Sequence, residues 1–293
     1  MQTYGGAATE IGWPAAPPYS RAATAAARAI ARAAVRRGEF GPPSATSAAA
    51  LEALGSARAQ GNAVFCTEIA MASQMASQMA SQMVRTMRAP DGAHHACAAR
   101  APPRPVTAAD VLAAARAARA PPVAVLRAMT DARRVAAAAR GEPGALGPGF
   151  RGDFAAVFEA DLGSRVHSLR AQRRAAEFED QLGAWLAPRL ARARVSAARE
   201  ADSRAAGRAL TPDFLLSAPV TINGRPVNWL DAKNYCHYGA ALTARNITAQ
   251  AEKYTKAFGP GAFVFHYGAD PDCAMLAGTT VLDGRGLDSG APP

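Results

Sequence analysis

The residues in this sequence whose types and spacing could do chemistry are two aspartates and a lysine. Asp231 and Lys233 lie two positions apart, and Asp213 precedes Asp231 by 18 positions. Side chains two positions apart on a β-strand project from the same face, so this carboxylate and this ammonium would be neighbours. Carboxylate oxygens bind Mg²⁺ or Mn²⁺, and a nearby ammonium offsets charge on a phosphate, which is the chemistry of a metal-dependent phosphodiesterase. An ordinary surface salt bridge explains the Asp-x-Lys spacing equally well.

Lysine is rare in this chain, so the lysine at position 233 departs from the general use of arginine as the basic residue. The sequence has 33 Lys and Arg residues, of which three are lysines: Lys233, Lys253 and Lys256. Arginine cannot simply replace a lysine that must place a compact charge at one point, because the guanidinium is planar and presents its donors as a fork. The bias towards arginine therefore favours a specific function for Lys233.

Two glutamates are candidates for the third carboxylate that such a site usually has. They are Glu179 and Glu200, and their spacing does not choose between them. Gln250 and Tyr254 are one turn apart on a predicted helix that follows Lys233, so both could face the same cleft.

The segments that hold these residues predict an α/β core. Apolar and β-branched runs predict strands over 214–222, 227–233 and 262–267, and Asn223-Gly224 predicts a hairpin turn between the first two. Apolar residues at helical spacing predict one helix around Glu179 and another over 241–258. The predicted order of elements is therefore α-β-β-α-β.

The hairpin raises a question of register. A two-residue loop pairs 222 with 225 and therefore 213 with 234, which would put Asp213 on the wrong face of the sheet. An odd-length loop or a bulge corrects the parity. Pro219 and Pro226 argue against a perfect ladder, because proline donates no backbone hydrogen bond. We therefore expect a bulged or odd-length hairpin that brings Asp213 and Asp231 to one cleft.

The rest of the chain divides into regions of different composition. Residues 1–105 are rich in Ala, Arg, Pro and Gly, and we expect a mostly disordered basic segment with one helix, capped by Ser20 and ended by Gly38. Residues 106–174 are expected to be helical and could form a helix-turn-helix, with Thr107 as the first cap. The predicted core occupies 175–273, and we expect 274–293 to be a disordered tail.

Composition narrows the class of protein. The net charge is +10: 16 arginines face 8 acidic residues in 1–150 (+8), whereas 17 cations face 15 in 151–293 (+2). A basic half suits a polyanion such as nucleic acid, although coding bias towards arginine would produce the same excess. The four cysteines form no CxxC pair, so neither a zinc ribbon nor a disulfide framework is indicated. No apolar run approaches the roughly 20 residues that span a bilayer.

A combination of motifs resembles a known family. The motifs are Thr211-Pro212-Asp213 with its following apolar run, the segment 227–233, Gln250 with Tyr254, and Phe258-Gly259-Pro260-Gly261. Together they look like the TPD-motif family of codanin-interacting nuclease-like proteins, which is assigned to the PD-(D/E)xK nuclease superfamily. The resemblance covers about 175–273, and 107–135 is more weakly similar to the family's N-terminal helical region.

The resemblance implies a function and a site. Asp213, Asp231 and Lys233 match the nuclease motif, Glu200 matches a family acidic position, and Glu179 aligns with a glutamate on an upstream helix. It implies a PD-(D/E)xK nuclease-like core that cleaves nucleic acid with Mg²⁺ or Mn²⁺ held by Asp213, Asp231 and Glu200. The alternative is a non-catalytic adaptor that binds nucleic acid or a codanin-like protein partner. The nucleus and/or cytoplasm is the expected location, and the arginine-rich start leaves organelle import open.

Overall fold

The computed structural model describes residues 9–87, 106–139, 154–239, 241–273 and 278–289. The chain divides into two compact units, which are described separately. The first consists of residues 1–24 and 171–293, and the second of residues 25–170.

The described residues of the first unit form a six-stranded sheet. Its strands are β1 (Glu10–Ile11), β2 (Ala197–Arg199), β3 (Phe214–Ile222), β4 (Arg225–Lys233), β5 (Gly261–Phe265) and β6 (Thr279–Asp283). The strand order is β1-β3-β4-β5-β6, and β2 also pairs with β3. Strand β3 runs antiparallel to β4 and β2, whereas β1 pairs with β3, β5 with β4 and β6 with β5 in parallel.

Three helices accompany the sheet, and two of them cover its faces. They are α7 (Arg165–Arg192), α8 (Glu200–Ala205) and α9 (Ala241–Phe258). One face is buried by side chains that repeat every four residues along α7, namely Phe178, Leu182, Leu186 and Leu190. The other face packs Trp229, Phe263 and Phe265 against Ile247, Ala251 and Tyr254 of α9. The predicted α-β-β-α-β order is present as α7, β3, β4, α9 and β5, but β2 and α8, which were not predicted, lie between α7 and β3, and β6 follows β5.

The hairpin confirms the prediction about register. Asn223 and Gly224 have φ of 52° and 72°, as in the two-residue turn in which both central residues are left-handed. Ile222 pairs with Arg225, and this register holds up to the pair Val220 and Val227. Beyond an irregularity between Leu215 and Val220, Phe214 pairs with Leu230 instead of the 233 that the first register would give, a slip of three residues. Because the slip is odd, Asp213 projects from the same face as Asp231.

The expectation of a mostly disordered segment over 1–105 is wrong for residues 9–87. This part contains α1 (Arg21–Arg36), α2 (Ala45–Glu52) and α3 (Arg58–Met87). The alanine-rich composition hid an apolar stripe, since Ala27, Ala31 and Ala34 are buried at helical spacing, and alanine is also the strongest helix former. The helix predicted from Ser20 to Gly38 is confirmed: Ser20 Oγ accepts the amide of Ala23 at 3.1 Å, and Gly38 has φ of 78°. Residues 1–8 and 88–105 lie outside the described residues.

The segment before α1 belongs to the sheet unit. Strand β1 pairs with the end of β3, and Ile11 is buried in the core. The ring of Trp13 lies 4.9 Å from that of Trp185, and its Nε1 donates to the carbonyl of Asp283 at 2.9 Å. These contacts are what order residues that look featureless in the sequence.

The predicted disordered tail over 274–293 is also wrong where the structure describes it. Strand β6 pairs along its whole length with β5. Leu282 and Leu287 are buried in the core, which offsets the entropy of ordering this segment. Residues 274–277 and 290–293 lie outside the described part.

The second unit is helical. Its further helices are α4 (Ala108–Ala118), α5 (Pro122–Ala139) and α6 (Ala155–Glu159). The predicted cap is confirmed, because Thr107 and Asp110 form a reciprocal capping box at the start of α4. Val111, Val123, Leu126 and Val157 form a shared core of these helices. The predicted helical pair with a tight turn is therefore present, and its DNA-binding role stays a prediction. No helix in the described ranges of either unit is long and apolar enough to cross a membrane.

Candidate active site

Asp213 and Asp231 meet at one end of the sheet, as the register slip dictates. Asp213 immediately precedes β3, and its Oδ2 accepts the backbone N–H of Ala232 at 2.6 Å. Asp231 is 3% exposed, and its Oδ1 forms an ion pair with Lys233 Nζ, whose side chain is 17% exposed. The same Oδ1 accepts no well-directed hydrogen bond from the described residues. The lysine charge is thus what compensates this buried carboxylate oxygen.

The electrostatics of the two aspartates are strongly perturbed. The pKa of Asp213 is raised from 3.8 to about 7, chiefly by burial and also by the charges of Asp231 and Glu179, which together outweigh the opposing effects of the Ala232 amide and Lys233. Burial also raises the pKa of Asp231, and Lys233 opposes this effect. Like charges that are close together in a buried site disfavour the ionised form of each carboxyl group. A divalent cation is the species that would relieve such repulsion.

Helix α9 supplies a hydrogen-bond chain to the second oxygen of Asp231. Gln250 Nε2 donates to Asp231 Oδ2 at 3.2 Å and lies 3.1 Å from the hydroxyl oxygen of Tyr254. That hydroxyl donates to the carbonyl of Thr211 at 3.2 Å. Burial raises the pKa of Tyr254 to about 12, so its hydroxyl stays protonated and can donate. Gln250 and Tyr254 therefore both face the cleft, as the helical spacing predicts.

The two candidate glutamates differ in their surroundings. Glu200 is the first residue of α8, and its Oε1 accepts hydrogen bonds from Thr211 Oγ1 at 3.2 Å and from Arg204. Among the described residues, no side chain or backbone group donates to the carboxylate of Glu179. Burial and the charge of Glu200 raise the pKa of Glu179. Glu200 is thus held by two hydrogen-bond donors, whereas the Glu179 carboxylate is opposed only by the nearby charge of Arg199, which lowers its pKa without outweighing burial.

The sequence reasoning missed two residues of this region. Thr211, the first residue of the Thr-Pro-Asp motif, bonds Glu200 through its side chain and Tyr254 through its carbonyl. The motif itself was a signal that could have identified it. Arg199 donates to the carbonyl of Glu179 at 3.3 Å. No signal in the arginine-rich stretch around it distinguishes Arg199 from its neighbours.

The carboxylates of the site determine which metal ion could bind. In the ranges that the structure describes, no three His, Cys, Asp or Glu side chains form a ready-made metal cage. Mg²⁺, however, is commonly held by one or two carboxylates and keeps several waters. Asp213 and Asp231 meet that smaller requirement, because they are neighbouring carboxylates, of which Asp231 is buried and Asp213 is half-buried. The residues present therefore fit a hard divalent cation with two direct protein ligands.

The residues of this site lie within a part of the chain that matches a known protein family. Residues 155–283 match the family described as "Protein of unknown function TPD sequence-motif". No solved structure matches the chain.

Three curated proteins are similar over part of the chain. An uncharacterized protein of Acanthamoeba polyphaga mimivirus is 46% identical over 83 residues, which is 27% of this chain and 30% of that protein. CDAN1-interacting nuclease 1 of Xenopus laevis is 31% identical over 88 residues, covering 29% and 28% of the two chains. The protein of that name from Mus musculus is 34% identical over 73 residues, 24% of each chain. Each match thus spans less than a third of the relative's own length. Residues 155–283 are therefore similar to the family of proteins that carry the TPD sequence motif.

Proposed function

We propose that this protein is a metal-dependent nuclease that hydrolyses phosphodiester bonds of nucleic acid, with a PD-(D/E)xK-type core. The observation that carries the proposal is the meeting of Asp213 and Asp231 across a bulged hairpin, with Lys233 paired to Asp231. The names of two relatives, which are called nucleases, support the same reaction class. A purely structural salt bridge would not require a second, half-buried carboxylate beside it.

In this proposal Asp213 and Asp231 hold Mg²⁺ or Mn²⁺ through their carboxylate oxygens. The bound cation would supply Lewis-acid polarisation of the scissile phosphate and a more acidic water. Lys233 places a compact positive charge beside Asp231, where it can orient a water or offset charge on the phosphate in the transition state. Gln250 and Tyr254 hold the orientation of Asp231 through its other oxygen.

The surroundings of the two glutamates favour Glu179 over Glu200 as the third carboxylate that binds the metal ion directly. Glu200 is engaged by Arg204 and Thr211 and would have to exchange these partners to bind a cation. Glu179 has a carboxyl group of raised pKa whose repulsion from Asp231 a cation would relieve. The expectation from the family resemblance was Glu200, so variants of both residues are needed to decide between them.

The test uses the purified full chain and a mixed panel of DNA and RNA substrates in Mg²⁺ or Mn²⁺. Wild type is expected to cleave at least one substrate, and chelation with EDTA to stop cleavage. Asp231→Asn removes a ligand charge at constant size, so it should abolish cleavage and spare binding. Glu252→Gln, on the exposed side of α9, is the matched control and should cleave normally. Wild-type turnover by Asp231→Asn in Mg²⁺ would disprove the site.

A second candidate function follows from the relatives' names, which describe an interaction with CDAN1. In it, the chain is a non-catalytic adaptor that binds nucleic acid or a codanin-like protein. The two functions differ in one measurement: the wild-type adaptor would cleave nothing in any divalent metal, whereas both functions expect binding to survive Asp231→Asn. Metal-dependent cleavage by the wild type would exclude a purely non-catalytic role.

A further inference from the structure

Arg199 lies beside the chain segments that carry three carboxylates of the site. These carboxylates are Glu179, Glu200 and Asp213. Arg199 is the last residue of β2, where it pairs with Phe214 of β3. Its Nη1 donates to the carbonyl of Glu179 at 3.3 Å, and its Nη2 donates to Asp180 Oδ1 at 2.6 Å. Its guanidinium carbon lies 4.6 Å from the centre of the Phe214 ring.

Each of these contacts is at, or one residue away from, a carboxylate of the proposed site. Glu179 is contacted directly through its carbonyl, Asp213 precedes Phe214, and Glu200 follows Arg199. Neighbouring Cα atoms are about 3.8 Å apart, so each arginine contact holds the backbone within one residue of a carboxylate. The Arg199 side chain thus connects α7 to β3, and the backbone of Arg199 leads directly into α8.

We propose that Arg199 is a positioning residue that fixes Glu179, Glu200 and Asp213 relative to one another in the metal site. The inference rests on the proposed function for the role of these carboxylates. The observations that support the inference are the position of Arg199 in the chain and its contacts with Glu179, Asp180 and Phe214.

The ion pair alone does not account for this arrangement. The Arg199 and Asp180 side chains are 39% and 77% exposed, and exposed pairs of this kind contribute little to stability. What requires arginine is the geometry, because a planar fork can donate to a carbonyl and a carboxylate while its flat face packs on a ring. Lysine retains the charge and cannot make all three contacts.

A glycine on α7 provides the space for this guanidinium. A Cβ added at Gly183 would lie 2.5 Å from Arg199 Nη1 and 3.2 Å from Phe214 Cε1. Glycine in a helix interior is less favourable than alanine. The space that the Arg199 guanidinium occupies explains why a glycine is present at position 183. The two residues are therefore expected to act as a unit, although they lie on different elements.

The test is a double-mutant cycle with Arg199→Ala and Gly183→Ala, together with Arg199→Lys and the matched exposed control Arg208→Lys. The first readout is the affinity for Mn²⁺ alone, measured by calorimetric titration of the full chain. Substitution of residues that orient metal ligands typically weakens metal binding 10- to 100-fold. We expect at least a roughly 10-fold loss in Arg199→Lys and in Gly183→Ala, and none in Arg208→Lys. Because Gly183→Ala acts through Arg199, it should weaken binding no further in the Arg199→Ala background.

A second readout needs no metal. The amide of Ala232 donates to Asp213 Oδ2, so its hydrogen exchange reports the position of Asp213. Exchange at Ala232 should accelerate in Arg199→Lys and Gly183→Ala, and not in Arg208→Lys. If the wild type binds no Mn²⁺ while exchange accelerates, the proposed function fails and the positioning role stands. Folded variants with wild-type exchange at Ala232, or with independent effects in the double mutant, would overturn the inference.

Discussion

The raised pKa of Asp213 predicts how stability depends on pH in the metal-free protein. Burial and the charge of Asp231 raise this pKa from 3.8 to about 7 in the folded state. The folded protein therefore binds more protons than the unfolded chain over this interval, so its free energy of unfolding falls as pH rises from about 4 to about 7. One pKa unit corresponds to about 1.36 kcal/mol, which gives a loss of up to about 4 kcal/mol from Asp213. Asp213→Asn removes the ionisation at nearly constant size and should abolish this part of the loss.

The measurement is urea unfolding of wild type and Asp213→Asn in EDTA at intervals between pH 4.5 and 8. Relative to wild type, the variant should gain stability as pH rises, and the difference should level off above pH 7. Glu252→Gln, which changes an exposed carboxylate on α9, should follow the wild-type curve. Mn²⁺ should stabilise wild type more at pH 8 than at pH 5, because it binds the ionised carboxylates. Parallel stability curves for wild type and Asp213→Asn across this range would refute the reasoning.

Three further predictions concern other parts of the sheet unit. Lys233→Arg retains the positive charge but displaces it, so the rate of cleavage should fall on the order of 100-fold while binding of uncleaved nucleic acid is retained. A steady-state cleavage assay measures this, with Lys253→Arg as the control. Full activity of Lys233→Arg would show that the site does not require a lysine. Glu179→Gln should weaken Mn²⁺ binding more than Glu200→Gln in calorimetry, and the reverse order would assign the third ligand to Glu200. Trp13→Ala should lower the free energy of unfolding by about 0.5–3 kcal/mol, because this ring is partly buried against the core; an unchanged urea midpoint would show that the packing on the sheet contributes nothing.

The parts of the fold that the sequence predicts well are those set by local chemistry. Asn223-Gly224 determines the turn, and Phe258-Gly259 ends α9 where the helical spacing of apolar residues stops. The bulge was predictable because side-chain parity is a strict consequence of strand geometry, whereas its size and its place near Pro219 were not. These features depend on residues that are close together in the chain.

The features that sequence reasoning missed depend on distant partners. Strand β1 has two residues and forms only because the edge of β3 accepts it. The alanines of α1 are buried by packing, which composition does not reveal. Arg199 is one of many arginines, and only the fold selects it to contact Glu179. A single sequence therefore predicts the proximity of Asp213 and Asp231 better than the residues that support them.

The discontinuity of the sheet unit has a consequence for synthesis of the chain. Glu10 of β1 pairs with Thr221, which is 211 residues later, and residues 25–170 form the other unit in between. During translation, Ile11 and Trp13 emerge long before their partners and cannot be buried until β3 has left the ribosome. Contacts of such long sequence separation form slowly, and exposed apolar residues meanwhile favour aggregation. The nascent chain is therefore expected to depend on chaperones until the hairpin emerges, and helices of the second unit can fold before it.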